Sequence, residues 1–200
     1  MISSIYSKIP QRLRLLILFI FIILIAYFVL RFFAVETRSV PDDFLRARQE
    51  ASIIAADIVA ISNQSSANFG QIAELDSKSN YTDALILVSQ ELERNRQARE
   101  KAINLSIQLE LMAKNLDKIS PPSAGQTALE AVSSETALIS RLINYNDYLT
   151  QILDILREKF LGKADGDKIP ELIAKANNEA QAINDLNQKF NDVMREFDLR

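Results

Sequence analysis

Beyond residue 40 the chain alternates long stretches free of helix breakers with short segments that concentrate them. Pro41, then Pro121 and Pro122 with Gly125, then Gly162, Gly166 and Pro170 mark the boundaries, because these two residue types fit helix interiors worst. Between the boundaries apolar residues recur at alternating three- and four-residue spacing, the mark of a helix buried along one stripe. In the second stretch the seam is Leu85, Val88, Leu92, Asn95, Arg99, Ala102, Leu105, Leu109, Met112, Leu116 and Ile119. In the third it is Leu129, Val132, Thr136, Ile139, Leu142, Asn146, Leu149, Leu153, Leu156 and Phe160, and in the fourth it starts at Ile169 and Leu172 and ends at Val193 and Phe197. The first seam, Ala47, Ala51, Ile54, Ile58 and Ile61, stays in step through Ser65, Asn68, Ile72 and Leu75. It does so although NQSSANFGQ, residues 63–71, has the composition of a loop.

One long first helix, with Gly70 as a place for a bend, matches the others in length. The pattern therefore predicts helices at about 42–77, 81–119, 126–161 and 168–198 and no strands. The expected fold is an all-α, antiparallel, up-down-up-down four-helix bundle about 50 Å long at 1.5 Å per residue. A coiled-coil dimer pairing the same helices between chains is the alternative. Ser39, followed by Pro41, Asp42 and Asp43, is the expected cap of the first helix, and Asp167 does similar work for the fourth.

Ahead of the bundle the pattern changes. Leu15 to Leu30 carries no charge, and the wider segment Leu13 to Val35 is interrupted only by Arg14 and Arg31. As a helix that segment reaches about 34 Å, against a bilayer core of about 30 Å. The expectation is a transmembrane signal anchor at 15–35, after a basic tail at 1–14 and before a linker at 36–41. A cleaved signal peptide fits less well, since the apolar run exceeds the usual length and RFFAVETRS offers no small-x-small pair near its end. Lys8, Arg12 and Arg14 favour a cytoplasmic N-terminus and an extracytoplasmic bundle, although Arg31, Arg38, Arg46 and Arg48 follow the run.

Composition then narrows the chemistry. Four of the 23 basic residues and none of the 26 acidic ones precede residue 36, so the remainder carries a net charge of −7. That balance argues against nucleic acid, which needs a basic footprint. With no His and no Cys, the chain cannot build a Ser-His-Asp or Cys-His site, a His or Cys zinc site, or a disulfide. No catalytic constellation is recognisable among the remaining residue types, and no cofactor or metal is expected. GKADGDK, residues 162–168, lacks the spacing of a phosphate loop or calcium loop and reads as a solvated turn. ELERNRQAREK, residues 91–101, reads as a mixed-charge solvated helix face. Of the three Asn-x-Ser/Thr sequons, only Asn80 falls at a turn.

Polar residues interrupt the seams at one height. With turns centred near residues 80, 121 and 165, antiparallel geometry sets Ser65 opposite Asn95 and Asn95 beside Asn146. Ser65 with Asn68, Asn95 with Arg99, and Asn146 flanked by Tyr145 and Tyr148 then form a belt, which the fourth helix reaches at Ile183, Asn184 and Asp185. A buried amide without partners costs about 1–3 kcal/mol, so these groups should bond one another, a water or a ligand. A register lock is the first reading and a small-molecule pocket the second. The layout resembles the membrane-tethered helical-bundle ectodomains of bacterial sensor proteins, without their second span and cytoplasmic output module. The expected function is a non-enzymatic interaction or scaffold module of the cell envelope, self-associating or bound to a protein partner. The alternative is a ligand-sensing ectodomain that signals through a separate membrane partner.

Overall fold

A computed structural model describes residues 39–163 and 165–199. The expected tail, the anchor at 15–35 and the first half of the linker lie outside the described residues. No helix among the described residues is long and apolar enough to cross a membrane.

The described residues fold as a bundle of four long helices: α1 (Asp42–Ser77), α2 (Tyr81–Ala113), α3 (Pro122–Phe160) and α4 (Ile169–Leu199), with a 3-10 turn at Leu116–Lys118 between α2 and α3. The α1 bounds match expectation, and the helix passes through NQSSANFGQ without a break. Ser65 is buried on its inner stripe and Asn68 half-buried, while Asn63, Gln64, Ser66 and Gln71 are exposed, so most of the polar composition of this stretch belongs to its outer face.

The ends depart from expectation in three places. α2 stops at Ala113 rather than near 119, because the Asn115 side chain donates to the Leu111 carbonyl at 2.9 Å and closes the last turn. α3 begins at Pro122 rather than 126: a proline in the first turn loses only an N–H that has no helical partner anyway. Ser39 does not cap α1. Pro41 occupies that position, while Ser39 exchanges two backbone hydrogen bonds with Ser120, at 3.0 and 2.9 Å, and ties the entry to α1 to the α2–α3 turn.

The two turns at the opposite, upper end have defined stops. At the end of α3 the Gly162 N–H bonds the Lys159 carbonyl and the Lys163 N–H bonds that of Glu158. Gly162 lies at φ +72°, as a left-handed C-terminal cap requires. Ser79 plays the same part after α1 at φ 56°. Asn80 then caps α2, accepting from the Asp83 N–H at 3.5 Å.

The core follows the seams, with one substitution of chemistry. On the lower half of α3 the buried apolar positions include Ala124, Ala128, Ala131 and Val132, whereas the expected seam residue Leu129 is 50% exposed. Small residues there let α3 lie close to its neighbours. Phe44 of α1 and Phe197 of α4 close the lower end with ring centres 5.8 Å apart, and each fully buried ring contributes about 2–3 kcal/mol. Arg48 reinforces the contact with two bonds to Asp198 at 2.7 Å.

The main difference from expectation is the height of α4. Arg141 pairs with Glu179 and Glu130 with Lys189, where counting from the turn sets Lys189 opposite Arg141. α4 thus begins well below the end of α3, and Ile169 packs beside Ile152 and Leu156. Gly166, at φ +85°, lies against Lys159 and Ile169, so the connection folds back along the last turn of α3 instead of making a level hairpin. Ile183 consequently joins the lower core, and Asn184 and Asp185 face solvent. Lys175 and Ala176 reach the height of Asn146 in their place.

Candidate functional site

The belt residues separate into three groups with different surroundings. The first joins α1 to α2. Ser65 is buried, and the Asn68 amide donates to Glu91, which also accepts from Arg94. Glu91 is 1% exposed, a correction to its reading as part of a solvated face. It occupies the inner stripe with Asn95 and Ala98, while Glu93, Arg96 and Glu100 of the same segment do face solvent and pair with one another.

The second group joins α2 to α3. The Asn95 amide donates to the Asn146 carbonyl and to the Thr150 hydroxyl oxygen, both at 2.7 Å. Thr150 donates in turn to the Asn146 carbonyl at 2.9 Å. Asn146 is buried and takes part through its backbone. Outside this clasp Arg99 pairs with Asp147, both side chains about half exposed. Ala98 takes the buried position expected of Arg99. The Asn95 amide is thus satisfied within the bundle and ties α2 to α3 at this height.

The third group points away from the other two. Tyr148 packs with Leu149, Ile152 and Leu172 between α3 and α4. Tyr145 borders a cavity of about 550 Å3 between α1, α3 and the start of α4. Burial raises the pKa of its phenol above the usual value, so the hydroxyl stays protonated and can donate.

The cavity exists because α4 starts low, and several of the side chains that border it from α1 and α4 are short. Ser66 and Ala73 line it from α1, and Ala176 and Asn177 from α4. Its wall is apolar, with Phe69, Ile72, Leu149, Ile152, Leu156 and Ile173. Two charged side chains border it, Asp76 and Lys159, which pair with each other at 2.5 Å, Lys159 about one-third and Asp76 about one-quarter exposed. The Lys159 ammonium also lies 5.9 Å from the centre of the Phe160 ring, an attraction that helps hold the cation at the mouth.

An apolar wall with a few convergent polar groups is the arrangement expected of a small-molecule site between helices. Nothing in the amino-acid pattern marked it, apart from Tyr145. The lining positions read as ordinary seam residues, and the gap arises from the height of α4. Among the described residues, no group of three or more Asp or Glu side chains converges as a metal site.

Glu135 is a separate feature. It is 6% exposed on the inner stripe of α3, and its Oε2 is the only buried side-chain polar atom among the described residues without a hydrogen-bond partner. Loss of hydration pushes its pKa up to about 7, with no charged neighbour contributing. No protein-family model matches this chain, and no curated protein or solved structure is significantly similar to it.

Proposed function

We propose that this protein is a non-catalytic binding module whose bundle holds a small ligand in the cavity between α1, α3 and α4. The observation that carries the reading is the cavity of about 550 Å3 itself, apolar on its walls and polar at Tyr145 and at the Asp76–Lys159 pair. An apolar guest seated there takes wall area out of water and gains dispersion contacts with it. In this reading the chain is anchored in a bilayer through residues 15–35 with the bundle outside the cytoplasm. Ligand occupancy reaches the cell through a separate membrane partner.

The test is thermal melting of the full chain against a library of metabolites and amphiphiles, beside an Ala73→Trp variant. Ala73 is exposed at the cavity wall, so the indole fills the space without disturbing the core. A ligand present at 100 times its Kd stabilises by about 2.7 kcal/mol, and the shift should appear in the parent and vanish in the variant. Absence of any shift, or equal shifts in both, rejects the reading.

One observation favours a protein-interaction role as the second reading. Ile103, Ile107 and Leu111 recur every four residues on α2, each 41–49% exposed, and form an apolar row on one helix face. Crosslinking in the native membrane, comparing the parent with Ile107→Arg, tests it: a partner captured equally by both proteins does not use this face.

A further inference from the structure

Resting on the ligand-binding reading, we infer that the cavity takes an uncharged, mainly apolar molecule that presents a carbonyl or ether oxygen to the Tyr145 hydroxyl. Charge supplies the first argument. Among the described residues, Lys159 is the only cation on the lining and Asp76 the only anion, and their 2.5 Å pair leaves the wall neutral. An ionic guest either spares that pair and lies uncompensated against apolar side chains, or displaces one partner and strands the other. A neutral guest avoids both costs.

Tyr145 supplies the second argument. It lines the cavity half-buried, and its hydroxyl has no hydrogen-bond acceptor among the described residues. The other uncharged polar side chains on the lining, Ser66 and Asn177, are exposed and have water for a partner. A guest oxygen at Tyr145 gives this donor the acceptor it lacks. The third argument is the balance of surface and volume. A cavity of about 550 Å3 walled by Phe69, Ile72, Leu149, Ile152 and Leu156 has the size and polarity that suit a drug-sized apolar body with few polar atoms. A plain hydrocarbon fits the walls but leaves the phenol unpaired, whereas a sugar or an amino acid brings more polar groups than the walls can bond.

Benzophenone tests the assignment, because it is uncharged, holds one carbonyl between two apolar rings, and crosslinks to nearby C–H groups under near-ultraviolet light. Irradiated with the full chain in phosphatidylcholine vesicles, it should label peptides within residues 66–76 or 145–156 and lose that labelling in Ala73→Trp. Dissociation constants from melting shifts then read the chemistry. Tyr145→Phe should weaken benzophenone about three- to tenfold, the worth of one hydrogen bond, and leave diphenylmethane, which lacks the oxygen, unchanged. In the parent, para-benzoylbenzamide should bind at least about tenfold tighter than para-benzoylbenzoate, which has the same shape and a charge. Asp76→Asn, which frees Lys159, should narrow that gap. Equal binding of amide and carboxylate, or a gap that Asp76→Asn leaves unchanged, overturns the exclusion of ions. A Tyr145→Phe effect that is absent, or equal for the ketone and the hydrocarbon, overturns the oxygen contact. Absence of cavity labelling while some library compound still shifts the melt overturns this ligand class alone, and absence of both overturns the ligand-binding reading with it.

Discussion

Asn95 holds α2 to α3 through two donated hydrogen bonds, and its acceptors decide what replacing it does. The Asn146 carbonyl keeps a second donor in Thr150 when the amide is removed, so no acceptor is stranded. Asn95→Leu is therefore expected to change stability by less than about 1 kcal/mol, while Asn95→Asp, which turns an oxygen toward that carbonyl, should cost about 2–3 kcal/mol. Urea midpoints of the two variants check the order, and a costlier Leu would mean that the clasp works by shape. Glu91 follows the opposite logic. It is sealed in, and Arg94 is the cation that pairs with it, so Arg94→Met should cost about 2–3 kcal/mol by leaving a buried carboxylate without its charge partner. Glu91 escaped the sequence pattern because it sits one turn before Asn95 in a run of exposed charges. The residue types of that run announce solvent, whereas the helical phase of this one position faces the core.

For single elements, two positions carry backbone costs that substitution can remove. A methyl group added at Gly70 meets no atom within 4 Å, and α1 continues through it as regular helix. Gly70→Ala should therefore raise stability by about 0.5–1 kcal/mol, read as an upward shift in melting temperature. Ser79 holds a left-handed conformation at the end of α1, where Gly avoids the penalty of a side chain, so Ser79→Gly should help by up to about 1 kcal/mol. The helices themselves were readable because each buries one stripe at helical spacing, and that spacing is written in the order of apolar residues. Their relative heights were readable where the connection is tight. Ser77 to Tyr81 turns within a few residues, and Asn68 meets Glu91 close to where counting sets it. The α3–α4 connection is longer and doubles back along Lys159. Its path depends on contacts among Gly166, Ile169 and the Lys159 side chain that no periodicity encodes. The cavity follows from that displacement, which is why most of the candidate site was invisible while the belt residues stood out.

Across the whole molecule, Glu135 links stability to pH. Its carboxyl titrates near 4.5 when the chain is unfolded and at about 7 in the bundle, so the folded state prefers the protonated form. The contribution of Glu135 is constant below pH 4.5, becomes less favourable as pH rises from 4.5 to about 7, and stays lower above that, by about 3 kcal/mol in all at 1.36 kcal/mol per unit. Glu135→Gln should flatten that part of the profile and melt higher than the parent at pH 8. A parent whose denaturant midpoint does not fall between pH 5 and 7 would show that the carboxyl reaches water. The cost is localised in the lower half, where Phe44, Phe197 and the alanines of α3 also lie. The Ser39–Ser120 bridge sits at the same end and gives the bundle a mechanical property. Tension on the chain ahead of Ser39 arrives first at a pair of backbone bonds to Ser120, not at the first turn of α1. While those bonds hold, the load is carried by the α2–α3 turn in the middle of the chain, and α1 does not peel. In a single-molecule pulling trace the first event should then be a short extension of a few residues as the bridge parts, followed by loss of the helices at a separate force.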